Sequence, residues 1–347
     1  MLDSNIQRRS RVVGEGQAPT SPTLFHSVAS ALGRVFDARL VVPEGMGEIT
    51  NLKRDKQFCV GLLTNPESHA WWPILGRMGA RERWSISGTM FLLRKVLPCP
   101  PDPKQTENHM RLMGCPAPLA PADMLESFDR QIDGLFPIGW DRSYQSHVYS
   151  HTPTSSSCLE FSSAAGGNRT YMGRRGVDWF YDACLSETCH PTDYRVRFSV
   201  VREKGKNRGV TIPSGYASIL GPLHRTLYDF LTGEDWLLRG DAKEKKFRSF
   251  HSSEGEVFVS GDYESATDNL SLSVTERILS RILSRCRYVP ETLRAYALRS
   301  LRATIEYPGG HVVVQQRGQL MGNFLSFPML CIQNYLAFKY YVPRSVP

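Results

Sequence analysis

The stretch "SGDYESATDNLSLS", residues 260–273, sets two aspartates six positions apart. Asp262 follows the apolar run "EVFVS", residues 256–260, which reads as a short buried strand; Asp268 opens a stretch that reads as a helix. One carboxylate is therefore expected where a strand ends, and the second where the next helix begins. A carboxylate at the C-terminal end of a strand leaves the sheet edge rigidly held, which suits a magnesium ligand. Two-metal phosphoryl transfer needs such groups to hold ions about 3.5–4 Å apart. Taken alone, the pair also fits a turn residue and a helix-terminal residue with no chemistry, so the flanking segments carry the decision.

Upstream, Val196, Phe198 and Val200 alternate with Arg195, Arg197 and Ser199, a half-exposed strand with a basic face. Residues 195–208 hold Arg195, Arg197, Arg202, Lys204, Lys206 and Arg208 against Glu203, which is +5 of a total net charge of +8. Lys204, Lys206 and Arg208 share one face of an extended segment. Several fixed cations are what a triphosphate needs as its α-phosphorus is attacked; the same strip fits an RNA backbone. No Walker-type glycine loop offers another phosphate cradle. Beyond it, Leu223, Leu227, Phe230 and Leu231 predict a helix that stops at Gly233.

Downstream, "SVTE" at 273–276 has the pattern of a capping box, and Val274, Ile278 and Ile282 recur every four residues. Pro290 starts a helix through Leu293, Ala297 and Leu301. Residues 304–307 and 311–315 flank Pro308-Gly309-Gly310, a β-hairpin signature. "GQLMG", residues 318–322, reads as a flexible loop able to bring backbone and a hydroxyl close to a sugar. Ser326 is the expected cap of a final helix, with Pro328 in its first turn.

The N-terminal portion is plainer. Residues 1–20 are polar, basic and expected to be disordered. A helix is predicted from 21 onward with Phe25, Val28, Leu32, Val35 and Phe36 on its apolar face, and another over 83–97 with Ile86, Met90, Leu93 and Leu97. The proline-rich residues 98–122 and the small, polar residues 155–169 read as loops. The 347 residues, 41% hydrophobic and 22% charged, are those of a globular chain with two or three domains' worth of core. No apolar run is long enough for a membrane span and the first residues lack a signal-peptide pattern, so an intracellular location is expected. Eight scattered cysteines without a CxxC pair argue for buried, reduced thiols over a disulfide framework, and over a zinc site built on Cys184, Cys189, His190 and Cys158.

The order of basic loop, strand-Asp-x5-Asp-helix, hairpin and glycine loop before a helix resembles motifs F, A and B of a viral RNA-dependent RNA polymerase. "REKGKNRGVTIPSGYASILGPLHRTLYDFL", "SGDYESATDNLS" and "GQLMGNFLSFPMLCIQN" are similar to segments of the ourmia-like (botourmiavirus) group, related to narnaviruses and leviviruses. The resemblance covers residues 150–347 and is most specific over 195–338. It implies an α+β, right-hand polymerase fold: a disordered basic tail (1–20), an N-terminal helical and fingers region (21–150), fingers with the basic loop (151–250) and a partial palm (251–347). It implies that Asp262 ligates two magnesium ions, with manganese as the alternative, and that Asp268 senses the ribose 2′-hydroxyl. Lys204, Lys206 and Arg208, with Arg202 nearby, would contact the incoming ribonucleoside triphosphate; Gly322, Ser326 and Asn334 would position the sugar and the nascent pair. Residues 155–169 would be the template-entry segment. RNA template and product are the implied partners, in the host cytoplasm.

Two departures from the family pattern stand out. The sugar-sensing asparagine expected four residues after Ser326 is Leu330 here, with Asn334 one turn further on. No Gly-Asp-Asp, the tripeptide of motif C, occurs anywhere, and the thumb is missing. The expectation is therefore a polymerase fragment inactive alone, either an incomplete reading frame or half of an enzyme whose motif C and thumb lie on a second polypeptide. A reverse transcriptase would carry a bulky aromatic where Asp268 stands. A non-catalytic RNA-binding protein would account for the charge, but not for an aspartate ending a strand between a basic loop and a glycine loop.

Overall fold

The computed structural model describes residues 21–47, 52–97, 99–203, 206–240 and 265–342, together with positions 243, 247, 254, 255, 261 and 263. The strand expected at 256–260, Asp262, Lys204 and the tail 1–20 lie outside the described residues. The chain divides into two units, Met1–Asp102 with Val201–Arg208, and Pro103–Val200 with Gly209–Pro347.

The first unit contains helices α1 (Ser21–Val35), α2 (Leu52–Thr64), α3 (Trp72–Leu75) and α4 (Ala80–Leu93). Phe25, Leu32, Phe58, Trp71, Ile86 and Met90 form its core. The apolar face expected for α4 is buried, through Leu93 and Leu97. The helix starts earlier than expected because the Glu82 carboxylate accepts the Gly79 amide at 3.0 Å. On α1 the expectation fails at one end: Phe25, Ala29 and Leu32 are buried, whereas Val35 is 73% exposed. At 3.6 residues per turn, Val35 lies about 80° round the helix from Phe25 and leaves the core face.

The second unit runs α5 (Gln105–Met113), α6 (Ala122–Leu135), α7 (Tyr144–Tyr149), α8 (Gly167–Arg175), α9 (Val177–Leu185), β1 (Arg195–Glu203), β2 (Lys206–Pro213), α10 (Gly221–Leu231), α11 (Ala266–Asn269), α12 (Leu272–Leu283), α13 (Glu291–Arg299), β3 (Thr304–Glu306), β4 (Val312–Val314) and α14 (Ser326–Tyr341), the tips of β1 and β2 belonging to the first unit. The four strands form one mixed sheet ordered β2-β1-β3-β4. β1 and β3 are parallel, Val196 opposite Ile305; β3 and β4 are antiparallel, Ile305 opposite Val313, around the turn that Gly309 and Gly310 make with positive φ. Val196 and Phe198 face the core while Arg195 and Arg197 are exposed, as the alternation predicts. The protein is thus α+β.

Three local expectations are corrected. Residues 98–122 are not all loop, because the prolines bracket Gln105–Met113 without interrupting it; α5 forms there and buries Met113. Residues 155–169 are in part helical: α8 begins at Gly167, whose φ of +52° lets the chain pass where a Cβ would meet the Ser156 carbonyl oxygen at 2.0 Å. The capping box at 273–276 does not form. Leu272, 1% exposed, draws the start of α12 forward, and Glu276 instead accepts from Arg302, Nη2 to Oε2 at 2.8 Å.

Helix α6 is joined to α12 by the Arg277–Asp129 pair at 2.7 Å, and to the residues just past α12 by the Arg285–Asp133 pair at 3.0 Å, partly exposed contacts that contribute little each. The connection after α12 is held more firmly. Asp141 is fully buried, and its carboxylate accepts the amides of Arg287 (2.9 Å), Tyr288 (2.8 Å) and Val289 (2.9 Å). Replacing it with alanine strands three donors at about 1–3 kcal/mol for each one left buried. Asp141→Ala is expected to lower the unfolding free energy by roughly 3 kcal/mol in urea titration; a loss below about 1 kcal/mol contradicts the role given to this carboxylate.

Candidate active site

Asp268 sits in α11, a single turn that Ser265 enters with φ +48°. The amides of Asp268 and Asn269 both donate to the Ser265 carbonyl, at 3.0 and 3.3 Å, so the carboxylate rides on a tight backbone turn. Its side chain is half-buried. Burial pushes the Asp268 carboxyl above the ordinary aspartate range, and the neighbouring Thr267 hydroxyl pulls the other way.

The glycine loop is fastened to this turn. The Gly318 amide donates to the Leu270 carbonyl at 2.9 Å, and the Gln319 amide to that of Thr267 at 2.8 Å. Gly318 has φ +74°, and a Cβ there would stand 2.9 Å from the Asp268 carbonyl oxygen and 3.1 Å from its Cα. At the other end, Thr211 of β2 donates through its amide (2.7 Å) and its hydroxyl (3.0 Å) to the Met321 carbonyl. Gly322, φ +131°, passes so near β2 that a Cβ would lie 2.0 Å from the Thr211 carbonyl oxygen. The glycines thus serve close approach to two neighbours, where the sequence suggested free movement.

Ser326 is 8% exposed, and its hydroxyl donates to the Leu320 carbonyl at 2.8 Å, closing the loop onto the first turn of α14. Ser326 therefore does not cap α14, which has no side-chain cap; the Asn323 side-chain oxygen accepts the Leu325 amide at 2.8 Å just ahead of the helix. Asn334 is exposed on α14, and its side-chain oxygen accepts the Tyr263 hydroxyl at 3.0 Å. That tyrosine immediately follows Asp262.

Buried amides that the sequence does not single out complete the framework. Gln319 and Gln333 both donate to the Thr275 hydroxyl, at 3.2 and 2.9 Å, tying loop and α14 to α12. Gln315 donates to the Gly318 carbonyl at 2.8 Å. The only hint in the sequence is that Gln333 and Asn334 interrupt an otherwise apolar helix. Near Asp268, the Tyr307 hydroxyl is hydrogen-bonded to His109 Nδ1 at 2.8 Å. Burial, and secondarily the Asp268 charge, raises the Tyr307 phenol; burial lowers His109 to about 4, so its ring is neutral.

Of the cations, Arg202, Lys206 and Arg208 are exposed, with Asn207 half-buried between the last two and bonded through its amide to the Pro100 carbonyl at 2.8 Å. They belong to the first unit; Asp268, Gly322, Ser326 and Asn334 belong to the second. Among the described residues, no three His, Cys, Asp or Glu side chains gather to hold a metal, and no helix is long and apolar enough to cross a membrane.

No family model matches the sequence. Two curated proteins do. The RNA-dependent RNA polymerase of Ourmia melon virus (isolate Melon/Iran/VE9) is 36% identical over 100 residues, which is 25% of this chain and 12% of that protein. The RNA-directed RNA polymerase of Saccharomyces 20S RNA narnavirus is 32% identical over 146 residues, 41% of this chain and 17% of that protein. The matched stretches are a small part of either relative. The chain is related to viral RNA polymerases of the ourmia and narnavirus kind.

A raised carboxyl pKa means that ionised Asp268 costs the fold stability. The cost is absent below the unfolded aspartate value of about 3.9, grows as pH rises above it, and is complete once pH passes the higher folded value. Asp268→Asn is therefore expected to raise the thermal midpoint at pH 7 by about 1–2 °C and to give no advantage near pH 3. A lower midpoint at pH 7 would mean that a cation compensates the charge.

Proposed function

We propose that this chain forms the fingers and first half of the palm of a right-hand viral RNA-dependent RNA polymerase, the part that receives and selects the ribonucleotide. The observation that carries the reading is the fastening of the glycine loop to the Asp268 turn by the Gly318 and Gln319 amides. Sequence kinship to two viral RNA polymerases supports it.

In this reading the reaction joins a 3′-hydroxyl to the α-phosphorus of a ribonucleoside triphosphate and expels pyrophosphate. Lys204, Lys206 and Arg208, with Arg202, neutralise the triphosphate as charge builds. Asp268, when ionised, only accepts hydrogen bonds, so a ribose 2′-hydroxyl donates to it and a 2′-deoxyribose leaves it unpaired in a half-buried place. Gly322 and Ser326 shape the backbone beside the nascent pair, and Asn334 orients Tyr263 next to Asp262. Asp262 is the carboxylate offered to magnesium, a hard cation that takes oxygen ligands. Magnesium held there would supply activation of the attacking hydroxyl and stabilisation of the leaving oxygen. The remaining metal carboxylates and the thumb would come from sequence outside these 347 residues, on the same or a second polypeptide.

Labelled-nucleotide incorporation on a primed RNA template tests the reading. The 347 residues are expected to be inactive alone and active when joined to, or mixed with, a chain bearing Gly-Asp-Asp and a thumb. In that complete enzyme, Asp262→Ala should abolish incorporation, while Asp268→Ala should mainly erode the preference for UTP over dTTP, by about tenfold or more for one unmade hydrogen bond to a charged group. Robust synthesis by the 347 residues alone, or a fully active Asp262→Ala enzyme, would overturn it.

A further inference from the structure

Trp84 on α4 is 69% exposed, although Ile86 and Met90 of the same helix are fully buried. It walls a pocket of about 280 Å³ with Trp72, Arg83, Ser87, Leu62 and Leu63. The Arg83 guanidinium lies over the Trp72 ring, 5.9 Å from its centroid. Ser87, 6% exposed, also lines it. The unit around this pocket, Met1–Asp102 with Val201–Arg208, holds 17 Lys and Arg against 10 Asp and Glu, which is +7 of the chain's +8.

We infer that this pocket is a binding site for one unpaired base of single-stranded RNA, on the first unit and separate from the residues assigned to nucleotide selection. Indole walls take a flat heteroaromatic ring. Arg83 and Ser87 offer donors to base carbonyls or to a phosphate, and the unit's positive charge attracts the polyanion to which the base is attached. Duplex RNA keeps its bases stacked inward and cannot present one to a recess. A membrane surface, which also favours tryptophan beside arginine, would meet a protruding apolar face and make no use of a recess walled by two indoles. The inference shares with the proposed function only the identity of the polymer, and its test reads binding without synthesis, so either can fail while the other stands.

Fluorescence anisotropy of labelled oligouridylate with the whole chain, at several salt concentrations, measures it. Trp84→Ala should weaken binding about tenfold, the loss of one base–aromatic stack, and leave the slope of log Kd against log salt unchanged, because no phosphate contact is removed. Trp84→Phe should recover most of the affinity, and duplex RNA should bind both variants as it binds the unsubstituted chain. Unchanged oligouridylate affinity in Trp84→Ala overturns the inference. So does an equal loss on duplex RNA, or Trp84-dependent binding to phosphatidylserine vesicles without any to RNA. Should the alanine variant fail to fold, by circular dichroism, photocrosslinking of a 4-thiouridine oligonucleotide to the unsubstituted chain decides: crosslinks at Trp84 or Trp72 support the site, and crosslinks confined to other residues overturn it.

Discussion

Two backbone amides, those of Gly318 and Gln319, hold the glycine loop against the turn that carries Asp268, and what the second unit offers for chemistry depends on that contact. The approach is possible because position 318 carries no side chain: a Cβ there would press on the backbone of Asp268 itself. The same constraint recurs at Gly322, which leaves room for the Thr211 carbonyl. Strand β2, the loop and the carboxylate turn are thereby joined in sequence, and α14 starts from the loop's far end with its first hydroxyl, Ser326, folded back onto Leu320. Binding chemistry needs groups held within a fraction of an ångström, and backbone-to-backbone contacts give that more firmly than mobile side chains.

The price of this arrangement is electrostatic. Asp268 is half-buried, so its charged form is disfavoured, and the phenol of Tyr307 and the neutral ring of His109 behind it supply no positive charge. A carboxylate in such a place gains more from a substrate hydroxyl than one already solvated would, because the hydrogen bond replaces water that the fold has removed. The net positive charge lies elsewhere, because the second unit's Lys and Arg are almost balanced by its Asp and Glu. The first unit holds nearly all the net charge, including the exposed Lys206 and Arg208 of the hairpin tip and the arginine beside the Trp84 pocket.

Much of this was legible in the sequence wherever one periodicity ran unbroken. The four-residue recurrence of Val274, Ile278 and Ile282 marks the buried face of α12, the alternation through Val196 and Phe198 marks β1, and Pro308-Gly309-Gly310 marks the turn between β3 and β4. Proline density concealed α5, since punctuation on both sides of a helix reads the same as punctuation through it. The glycines at 318 and 322 were legible as residues but not as contacts, because glycine marks freedom and close approach alike and only the neighbours at Asp268 and Thr211 decide between them. The pairing of Gln319 and Gln333 on Thr275 joins residues 44 and 58 positions apart from it, a separation that no local pattern encodes.

The central claim is that the loop and the Asp268 turn behave as one rigid piece. Amide hydrogen exchange, resolved to single residues, addresses it directly. The Gly318, Gln319 and Thr211 amides are predicted to exchange as slowly as those in the middle of α12, because each is closed by a backbone hydrogen bond within the second unit. Exchange of Gly318 and Gln319 at the rate of an open loop, with α12 still protected, would contradict it.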